Sequence, residues 1–370
     1  MSTLDLLYEH YGQSPWIDNI RRDWLNDGTL ATLVAQGVRG VTSNPSIFAK
    51  AVATSEAYGV QLRAGAGGDV EEMFEKLAVN DVRDACDVLA RVYEGSKSPF
   101  ERKQRRYLDG FVSLEVSPRL AHDTGATIDA ARRLAKAVAR ENLMIKIPAT
   151  REGLAAITEV LSAGISVNVT LIFALERYDQ VIDAWSSGIE LAASNGHDIS
   201  TIASVASFFI SRVDSAVDAQ LEEGDSRRGT AANAQAAKAY QLYRDRMASE
   251  RVRGLLARGA QVQRPLWAST STKNPAYYDL LYVDSLVADE TVNTMPDATL
   301  EGVLDHGDFS TSLLVDDSSI ALAAARLDDL IGTVSLDAVT DRLETEGVQA
   351  FITSYDELLA TVATKMVGIG

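Results

Sequence analysis

The stretch Asn142-Leu143-Met144-Ile145-Lys146-Ile147-Pro148 places a lysine inside an apolar run. Because the run ends at a proline and follows the helix-like residues 130–140, it predicts a buried strand. A charged side chain in a buried strand is costly unless it is paired or neutral. Burial lowers the pKa of an amine, and a neutral amine attacks carbonyl groups to form a Schiff base. Alternatively, the lysine reaches water at the strand end or pairs with a carboxylate.

Short β-rich runs alternate with longer amphipathic stretches along the whole chain, which favours βα units and a parallel sheet. The runs predicted as strands are residues 15–18, 38–43, 111–116, 143–147, 166–172, 201–206, 265–269 and 285–291. Eight is the number of strands that closes a (β/α)8 TIM barrel. We therefore predict an α/β fold in which residues 1–370 form a single (β/α)8 barrel domain.

The connection formed by residues 46–110 is long enough to hold additional helices. A glycine-rich turn at residues 65–68 predicts a break between at least two of them. Asn80 is the predicted N-cap of a helix over residues 81–93, because an Asn side chain accepts hydrogen bonds from the first amides of a helix.

Two later segments also predict helices outside the regular βα alternation. Residues 213–264 form the second long connection and contain an Ala-rich stretch near residues 230–248. Residues 348–365 carry apolar side chains such as Phe351 on one helical face, which predicts a final amphipathic helix. We expect it to pack on the barrel, within a C-terminal helical extension over about residues 315–370.

The composition narrows the expected partners and location. The formal net charge of −17 argues against nucleic acid and anionic membranes as partners. No apolar stretch of about 18 residues occurs and the start lacks a signal-peptide pattern, so no membrane partner is expected. The single cysteine, Cys86, fits a reducing, cytoplasmic location. The four histidines lack ligand-like spacing, so no metal site is predicted, and the oligomeric state stays open between monomer and homodimer.

Three ionisable residues occur where a barrel carries its chemistry, near the C-terminal ends of the strands. Asp18 follows Trp16-Ile17 at the end of the first predicted strand, Glu115 lies in the third and Lys146 ends the fourth. Cores avoid unpaired charges and buried ion pairs seldom add stability, so the trio predicts a catalytic site. Structural alternatives stay open: Asp18 can cap a helix that begins near Ile20, and Glu115 can be only the ion-pair partner of Lys146.

Uncharged polar residues also lie at or along predicted strands, and they are Thr42, Ser43, Asn44, Asn168, Thr170, Ser207 and Ser269. Asn168 and Thr170 alternate along one strand and therefore face the same side of it. These residues have structural explanations as well, because residues 42–45 can form a simple capped turn and the others can satisfy backbone groups.

A phosphate site is suggested by two cationic side chains. Arg212 lies in the first turn of the helix expected after Ser207, and both helix N-termini and arginines bind phosphate. Lys273 is a candidate second cation in the loop after the seventh predicted strand. A surface salt bridge explains Arg212 nearly as well.

Six segments of the chain resemble the transaldolase family. They are GVTSNPSIF at residues 40–48, SLEV at 113–116, MIKIPAT at 144–150, GISVNVTLIF at 164–173, ASVASFFISR at 203–212 and ETVNTMP at 290–296. They occur in the order of the family, and the set is highly specific. The chain length and residues 271–275 are similar to the longer bacterial members.

The resemblance implies a class I aldolase-type barrel of the pentose phosphate pathway. Such an enzyme transfers a dihydroxyacetone unit from sedoheptulose 7-phosphate to glyceraldehyde 3-phosphate, giving erythrose 4-phosphate and fructose 6-phosphate. The resemblance implies that Lys146 forms the Schiff base and that Asp18 is the general base. Glu115 would then act as acid and base through a water held by Thr170, and no metal or organic cofactor would be needed. The implied substrate-binding residues are Thr42, Ser43, Asn44, Asn168, Ser207, Arg212, Ser269 and Lys273.

The chain departs from many family members at one position, and two other functions are alternatives for a barrel of this kind. Many family members carry an arginine where this chain has Lys273, and a lysine lacks the bidentate fork of an arginine. An aldolase of similar fold would release free dihydroxyacetone, but such enzymes are much shorter and place a tyrosine in the acid/base role. A barrel that binds sugar phosphates without turnover would lack one of Asp18, Glu115 or Lys146, and all three are present.

Overall fold

A parallel sheet positions the candidate site. A computed structural model describes residues 2–367, apart from the side chains of Pro99 and Arg102. Within these residues the strands are β1 Gln13–Ile17, β2 Val112–Glu115, β3 Leu143–Pro148, β4 Val167–Ile172, β5 Ser204–Phe209, β6 Gln263–Ala268 and β7 Thr291–Met295. All neighbouring strands are parallel, in the order β1-β7-β6-β5-β4-β3-β2. The alternating sequence pattern therefore predicted the α/β class correctly.

Helices connect the strands and extend beyond the last of them. The α-helices of the described residues are α1 Thr3–Glu9, α2 Arg22–Asp27, α3 Thr29–Ala35, α4 Pro45–Thr54, α5 Gly59–Ala64, α6 Val70–Ser96, α7 Pro99–Gln104, α8 Thr124–Val138, α9 Arg151–Ser162, α10 Leu175–Ser194, α11 Ser211–Asp218, α12 Ala231–Met247, α13 Glu250–Ala257, α14 Leu281–Asp284, α15 Asp297–His306, α16 Asp317–Ala325 and α17 Leu336–Val367. Short 3-10 helices lie at Glu56–Tyr58, Pro118–Leu120, Phe309–Thr311 and Asp328–Leu330. No helix within residues 2–367 is long and apolar enough to cross a membrane.

The strand predicted at residues 38–43 is reduced to one bridging residue. Val41 forms isolated parallel bridges to Ile17 of β1 and to Val112 of β2. The Thr42 amide also donates a hydrogen bond to the carbonyl of Ile17 at 2.9 Å. This segment therefore lies between the two outer strands of the sheet and pairs with both.

Two other strand predictions differ from the structure. The prediction at residues 285–291 is wrong, because the seventh strand is Thr291–Met295. The apolar residues Leu286 and Val287 are buried in the preceding connection, and Glu290 turns the chain with a φ of 58°. The prediction was wrong there because these apolar residues are buried in a connection and not in a strand. The prediction at residues 201–206 begins early, since β5 spans Ser204–Phe209.

The helices of the long connections were predicted with mixed success. Asn80 caps no helix, because α6 runs unbroken past it and Asp69 is the cap, accepting from the Glu72 amide at 2.8 Å. The apolar face of α6 continues through Asn80, whose intrinsic preference for a cap is weaker than that packing. The Ala-rich helix is confirmed as α12, and the C-terminal helix is confirmed as α17, which begins earlier than predicted.

A buried carboxylate joins several parts of the sheet. Asp109 is fully buried and accepts hydrogen bonds from Ser14 Oγ, from Trp16 Nε1 at 3.0 Å and from Arg39 Nε at 3.1 Å. Arg264 of β6 places Nη2 3.4 Å from the same carboxylate. Burial opposes the charged form, but Arg264 and Arg39 lower the pKa of Asp109 below its ordinary value. Asp109 therefore ties β1 and β6 to the residues that lead into Val41.

Candidate active site

Lys146 and Glu115 form the centre of the site. Glu115 ends β2 and pairs in register with Lys146 of β3, so the two side chains lie on one face of the sheet. Lys146 Nζ lies 3.4 Å from Glu115 Oε2, and only 6% and 5% of these side chains are exposed. Lys146 Nζ also donates to the Ser43 carbonyl at 3.1 Å. The ion pair is long for a hydrogen bond, and Glu115 Oε2 has no hydrogen-bond partner among the described residues.

The environment of Glu115 suits proton transfer. Burial raises the pKa of Glu115 to about 7, although the charge of Lys146 lowers it. Near neutral pH the carboxyl group therefore exchanges between its two protonation states, as an acid/base group must. The buried hydroxyl of Thr170 has no hydrogen-bond partner in the described part of the chain, so it is available to a water or a substrate.

Asp18 follows β1 and is held by a chain of two hydroxyl groups. The Thr42 hydroxyl donates to Asp18 Oδ1 at 2.6 Å and lies 2.6 Å from the hydroxyl of Thr294. Because a hydroxyl has one hydrogen, Thr294 donates to Thr42 in this arrangement. Burial raises the pKa of Asp18, while the Lys146 charge and the Thr42 hydrogen bond lower it. The helix-cap alternative for Asp18 is wrong, because α2 begins only at Arg22 and has no side-chain cap.

A layer of hydrogen-bonded side chains adjoins Lys146. Asn168 is in register with Lys146 and donates Nδ2 to Ser113 Oγ at 3.0 Å. Ser207 Oγ donates to Asn168 Oδ1 at 2.7 Å, and Ser43 Oγ donates to the Ser113 carbonyl at 2.7 Å. Asn168 and Ser43 are thus engaged with other protein groups and hold the strands around the lysine.

One cavity of about 130 Å³ brings most of the candidate residues together. Those that line it are Asp18, Thr42, Asn44, Lys146, Thr170, Ser207, Arg212, Ser269 and Lys273. Glu115, Ser43 and Asn168 do not line the cavity, but each contacts a residue that does. Glu115 and the Ser43 carbonyl contact Lys146, and Asn168 accepts a hydrogen bond from Ser207. Asn44 lines the cavity and also caps α4, because its side chain accepts from the Ile47 amide at 3.0 Å. The strand-end residues chosen from sequence therefore converge on one place.

Two cations face this cavity from separate elements. Arg212 lies in the first turn of α11, and its guanidinium carbon Cζ lies over the Phe209 ring, 5.5 Å from the ring centroid. No ion-pair partner of Arg212 exists within residues 2–367, so the salt-bridge alternative is wrong. Lys273 is more exposed and donates Nζ to Ser271 Oγ at 2.6 Å. Burial lowers the pKa of Arg212, and burial followed by repulsion from Arg212 lowers the pKa of Lys273. A bound anion would relieve both effects.

Metal-ligating side chains are not clustered within residues 2–367. No group of three or more His, Cys, Asp or Glu side chains in the described chain could hold a metal ion. The polar atoms that converge here are an amine, carboxylates, hydroxyls and a guanidinium, which suit a carbonyl-containing, anionic substrate.

Comparison with known proteins identifies the family. A family model described as transaldolase/fructose-6-phosphate aldolase matches residues 15–362. The chain belongs to this family. Curated transaldolases from Frankia alni and Acidothermus cellulolyticus are each 50% identical to the chain, over 366 and 363 residues, covering 96% of it and 95% of each relative. A transaldolase from Mycolicibacterium smegmatis is 48% identical over 358 residues, covering 94% of the chain and 93% of the relative.

Six residues that line the cavity were not among the site residues predicted from the sequence. They are Phe209, Ala268, Ser271, Thr294, Pro296 and Phe351. Phe209, Thr294 and Pro296 lie within the segments that resemble the transaldolase family, so the resemblance could have identified them as candidates. Phe351 lies outside those segments, and its place on an apolar helical face predicted only packing.

Proposed function

We propose that the chain is a transaldolase that acts through a Schiff base on Lys146. It transfers dihydroxyacetone from sedoheptulose 7-phosphate to glyceraldehyde 3-phosphate and releases erythrose 4-phosphate and fructose 6-phosphate. The observation that carries this proposal is the buried Lys146–Glu115 pair beside a cavity that also contains Asp18 and Arg212. A structural pair would not require a second buried carboxylate and an unpaired arginine at the same place.

The first half of the reaction uses Lys146, Glu115 and Thr170. The Lys146 amine attacks C2 of the ketose and forms a carbinolamine. Glu115 gives the departing hydroxyl a proton through a water held by the Thr170 hydroxyl, and an iminium ion results. The raised pKa of Glu115, about 7, lets the same group take the proton back when the imine is hydrolysed.

The second half breaks and remakes a carbon–carbon bond. Asp18 removes the proton of the C4 hydroxyl, and the electrons of the C3–C4 bond move into the iminium. The aldose phosphate leaves, and a three-carbon enamine stays on Lys146. The aldehyde of the acceptor then accepts the enamine carbon, and Asp18 returns the proton. The iminium is the electron sink, so the mechanism needs neither a metal nor an organic cofactor.

The remaining candidate residues bind or position the substrate. Arg212 and Lys273 bind its phosphate, with the hydroxyl of Ser269 nearby. Asn44 binds the donor from the start of α4. The other implied substrate-binding residues contribute mainly by holding catalytic groups in place, and they are Thr42, Ser43, Asn168 and Ser207. Their described hydrogen bonds to protein groups support this indirect role.

We also propose a closed (β/α)8 barrel as one domain over residues 1–370, with a helical extension over about residues 315–370. The pairing of Val41 with both outer strands supports closure, with residues 38–43 in the position of the eighth strand. Residue 1 and residues 368–370 of that domain lie outside the described residues. A cytoplasmic location is supported by the single, buried Cys86.

The test combines a covalent and a kinetic measurement. Borohydride added with fructose 6-phosphate should reduce the imine and increase the mass of the peptide that contains Lys146, whereas Lys146→Arg should give no adduct. Addition of erythrose 4-phosphate should yield sedoheptulose 7-phosphate faster than free dihydroxyacetone appears. An adduct with dihydroxyacetone release but no transfer would identify the aldolase alternative, and absence of any adduct would exclude the Schiff-base mechanism.

A further inference from the structure

The last helix contributes an aromatic ring to the catalytic cavity. Phe351 of α17 lines the cavity, and its ring centroid lies 5.6 Å from Lys146 Nζ. Only 7% of the residue is exposed, so the ring borders the cavity on one side and packs against other protein groups elsewhere. Phe351 comes from the part of the chain most distant in sequence from the strands that carry the catalytic groups.

The position of Phe351 is fixed by contacts along α17. The helix packs against α4 and α11, the two helices that begin beside Asn44 and Arg212. Ser46 Oγ of α4 donates to Ser354 Oγ at 2.8 Å. Gly347 approaches β4 so closely that a Cβ there would lie 3.2 Å from the Leu171 side chain. Gly347 and Ser354 lie about one helical turn before and after Phe351, so these contacts hold its ring in place.

Water distinguishes the two fates of the enamine that the proposed function leaves on Lys146. In transfer, the enamine carbon bonds to the acceptor aldehyde. In release, one hydrogen of a water ends on that carbon and the other on the Lys146 nitrogen, the oxygen becomes the ketone oxygen, and the C–N bond breaks. Release therefore consumes a water beside the enamine, at a time when the departed aldose has left space for it.

We propose that Phe351 determines the partition between transfer and release, by filling the space beside the lysine-bound enamine with a side chain that cannot hydrogen-bond to water. This inference rests on the proposed function and adds a specificity-determining residue to it. The ring acts through its volume and lack of polarity. A residue of similar size without a π-system should therefore replace it.

The test compares Phe351→Ala with Phe351→Leu in the full-length chain. The measured quantity is the release-to-transfer ratio: free dihydroxyacetone formed from fructose 6-phosphate alone, divided by sedoheptulose 7-phosphate formed when erythrose 4-phosphate is added. Phe351→Ala should raise this ratio about tenfold or more while the borohydride adduct on Lys146 persists. Phe351→Leu should stay close to the parent.

A matched control separates the ring from the helix that carries it. Leu358→Ala removes a fully buried side chain of α17 that does not line the cavity, and it should leave the ratio unchanged. The inference is overturned if the ratio is unchanged in Phe351→Ala, if Phe351→Leu is as leaky as Phe351→Ala, or if Leu358→Ala raises it equally. A parent chain that forms the adduct but shows no transfer would instead remove the proposed function, and this inference with it.

Discussion

Lys146 and Glu115 are in-register partners on β3 and β2, and this pairing brings the lysine nitrogen within 3.4 Å of a carboxylate oxygen. The backbone ladder of two buried strands, rather than a flexible loop, sets this distance. A slip of one residue between the strands would turn one of the two side chains to the opposite face. The geometry of this amine–carboxylate pair is therefore as rigid as the sheet itself.

Glu115→Gln is expected to slow imine formation and to abolish its pH dependence near neutrality. Dehydration of the carbinolamine uses the protonated form of Glu115, whose pKa burial raises to about 7. In the parent enzyme the rate should consequently fall as the pH rises through about 7, whereas glutamine does not titrate. Trapping of fructose 6-phosphate with cyanoborohydride, timed from about pH 6 to about pH 8, measures this rate. The same decline in both proteins would assign the titration to another group.

Asp18→Asn should separate imine formation from carbon–carbon cleavage. The substitution keeps the shape of Asp18 and a hydrogen-bond acceptor for Thr42, but it removes the base. Borohydride trapping on Lys146 should persist, while turnover falls by about 10²–10⁴, the usual contribution of a general base. Asp305→Asn is the control, because that side chain is 85% exposed. Loss of trapping in Asp18→Asn, or near-normal turnover, would contradict the assigned role.

Thr42→Val should move the pH profile of cleavage upward. The Thr42 hydroxyl lowers the pKa of Asp18, so its loss raises that pKa and a higher pH is needed to ionise the base. Thr42→Ser keeps the hydroxyl and should keep the profile. Both variants leave in place the other charges that act on Asp18, namely Lys146, Asp297 and Lys273. The measurement is kcat/KM against pH, and equal shifts in the two variants would argue against the hydroxyl chain.

Arg212→Ala should weaken the binding of phosphorylated sugars more than Lys273→Ala does. Arg212 is the more buried cation and has no described ion-pair partner, whereas Lys273 is exposed. Loss of a charge-assisted hydrogen bond costs roughly 1.5–3 kcal/mol. The KM for fructose 6-phosphate should rise, while the KM for unphosphorylated fructose should hardly change. Lys238→Ala, on the surface of α12, controls for loss of positive charge. Equal losses on both sugars would make Arg212 a structural residue.

Asp109→Asn should destabilise the fold far more than a comparable surface change. It leaves Arg39 and Arg264 without their shared buried counter-charge, which typically costs about 3–5 kcal/mol. The pKa of Asp109 is lowered in the folded chain, so its contribution is present above the ordinary carboxyl pKa and is lost as the pH falls. The difference from the parent in urea unfolding should therefore shrink in acid. Asp87→Asn breaks an exposed pair with Arg140 and should cost less than about 1 kcal/mol.

The sequence indicated that Asp18, Glu115 and Lys146 would lie close together, because charge inside an apolar run is a strong and local signal. Lys146 and Glu115 lie in strands whose residues are almost all buried. Asp18 follows another buried strand directly. The regular alternation of strands and helices then suggested the edge of the sheet at which these side chains would meet.

Other parts could not be predicted, because they depend on contacts between distant segments. The sequence does not distinguish Thr294 from other hydroxyl-bearing residues, because only folding places it beside Thr42. Phe351 has the same local pattern as any core residue of an amphipathic helix. The wrong strand at residues 285–291 and the wrong cap at Asn80 have a related cause, since local propensity was outweighed by tertiary packing.

The Lys146–Glu115 pair and the two cations of the cavity are supported by different kinds of structure. Lys146 and Glu115 stand on adjoining strands, whereas Arg212 begins a helix and Lys273 lies in a loop. We therefore expect that insertions and substitutions in that loop would alter which sugars are accepted without disturbing the strand register of Lys146 and Glu115. A directed-evolution library confined to residues 270–278 would be a suitable place to search for new acceptor specificities.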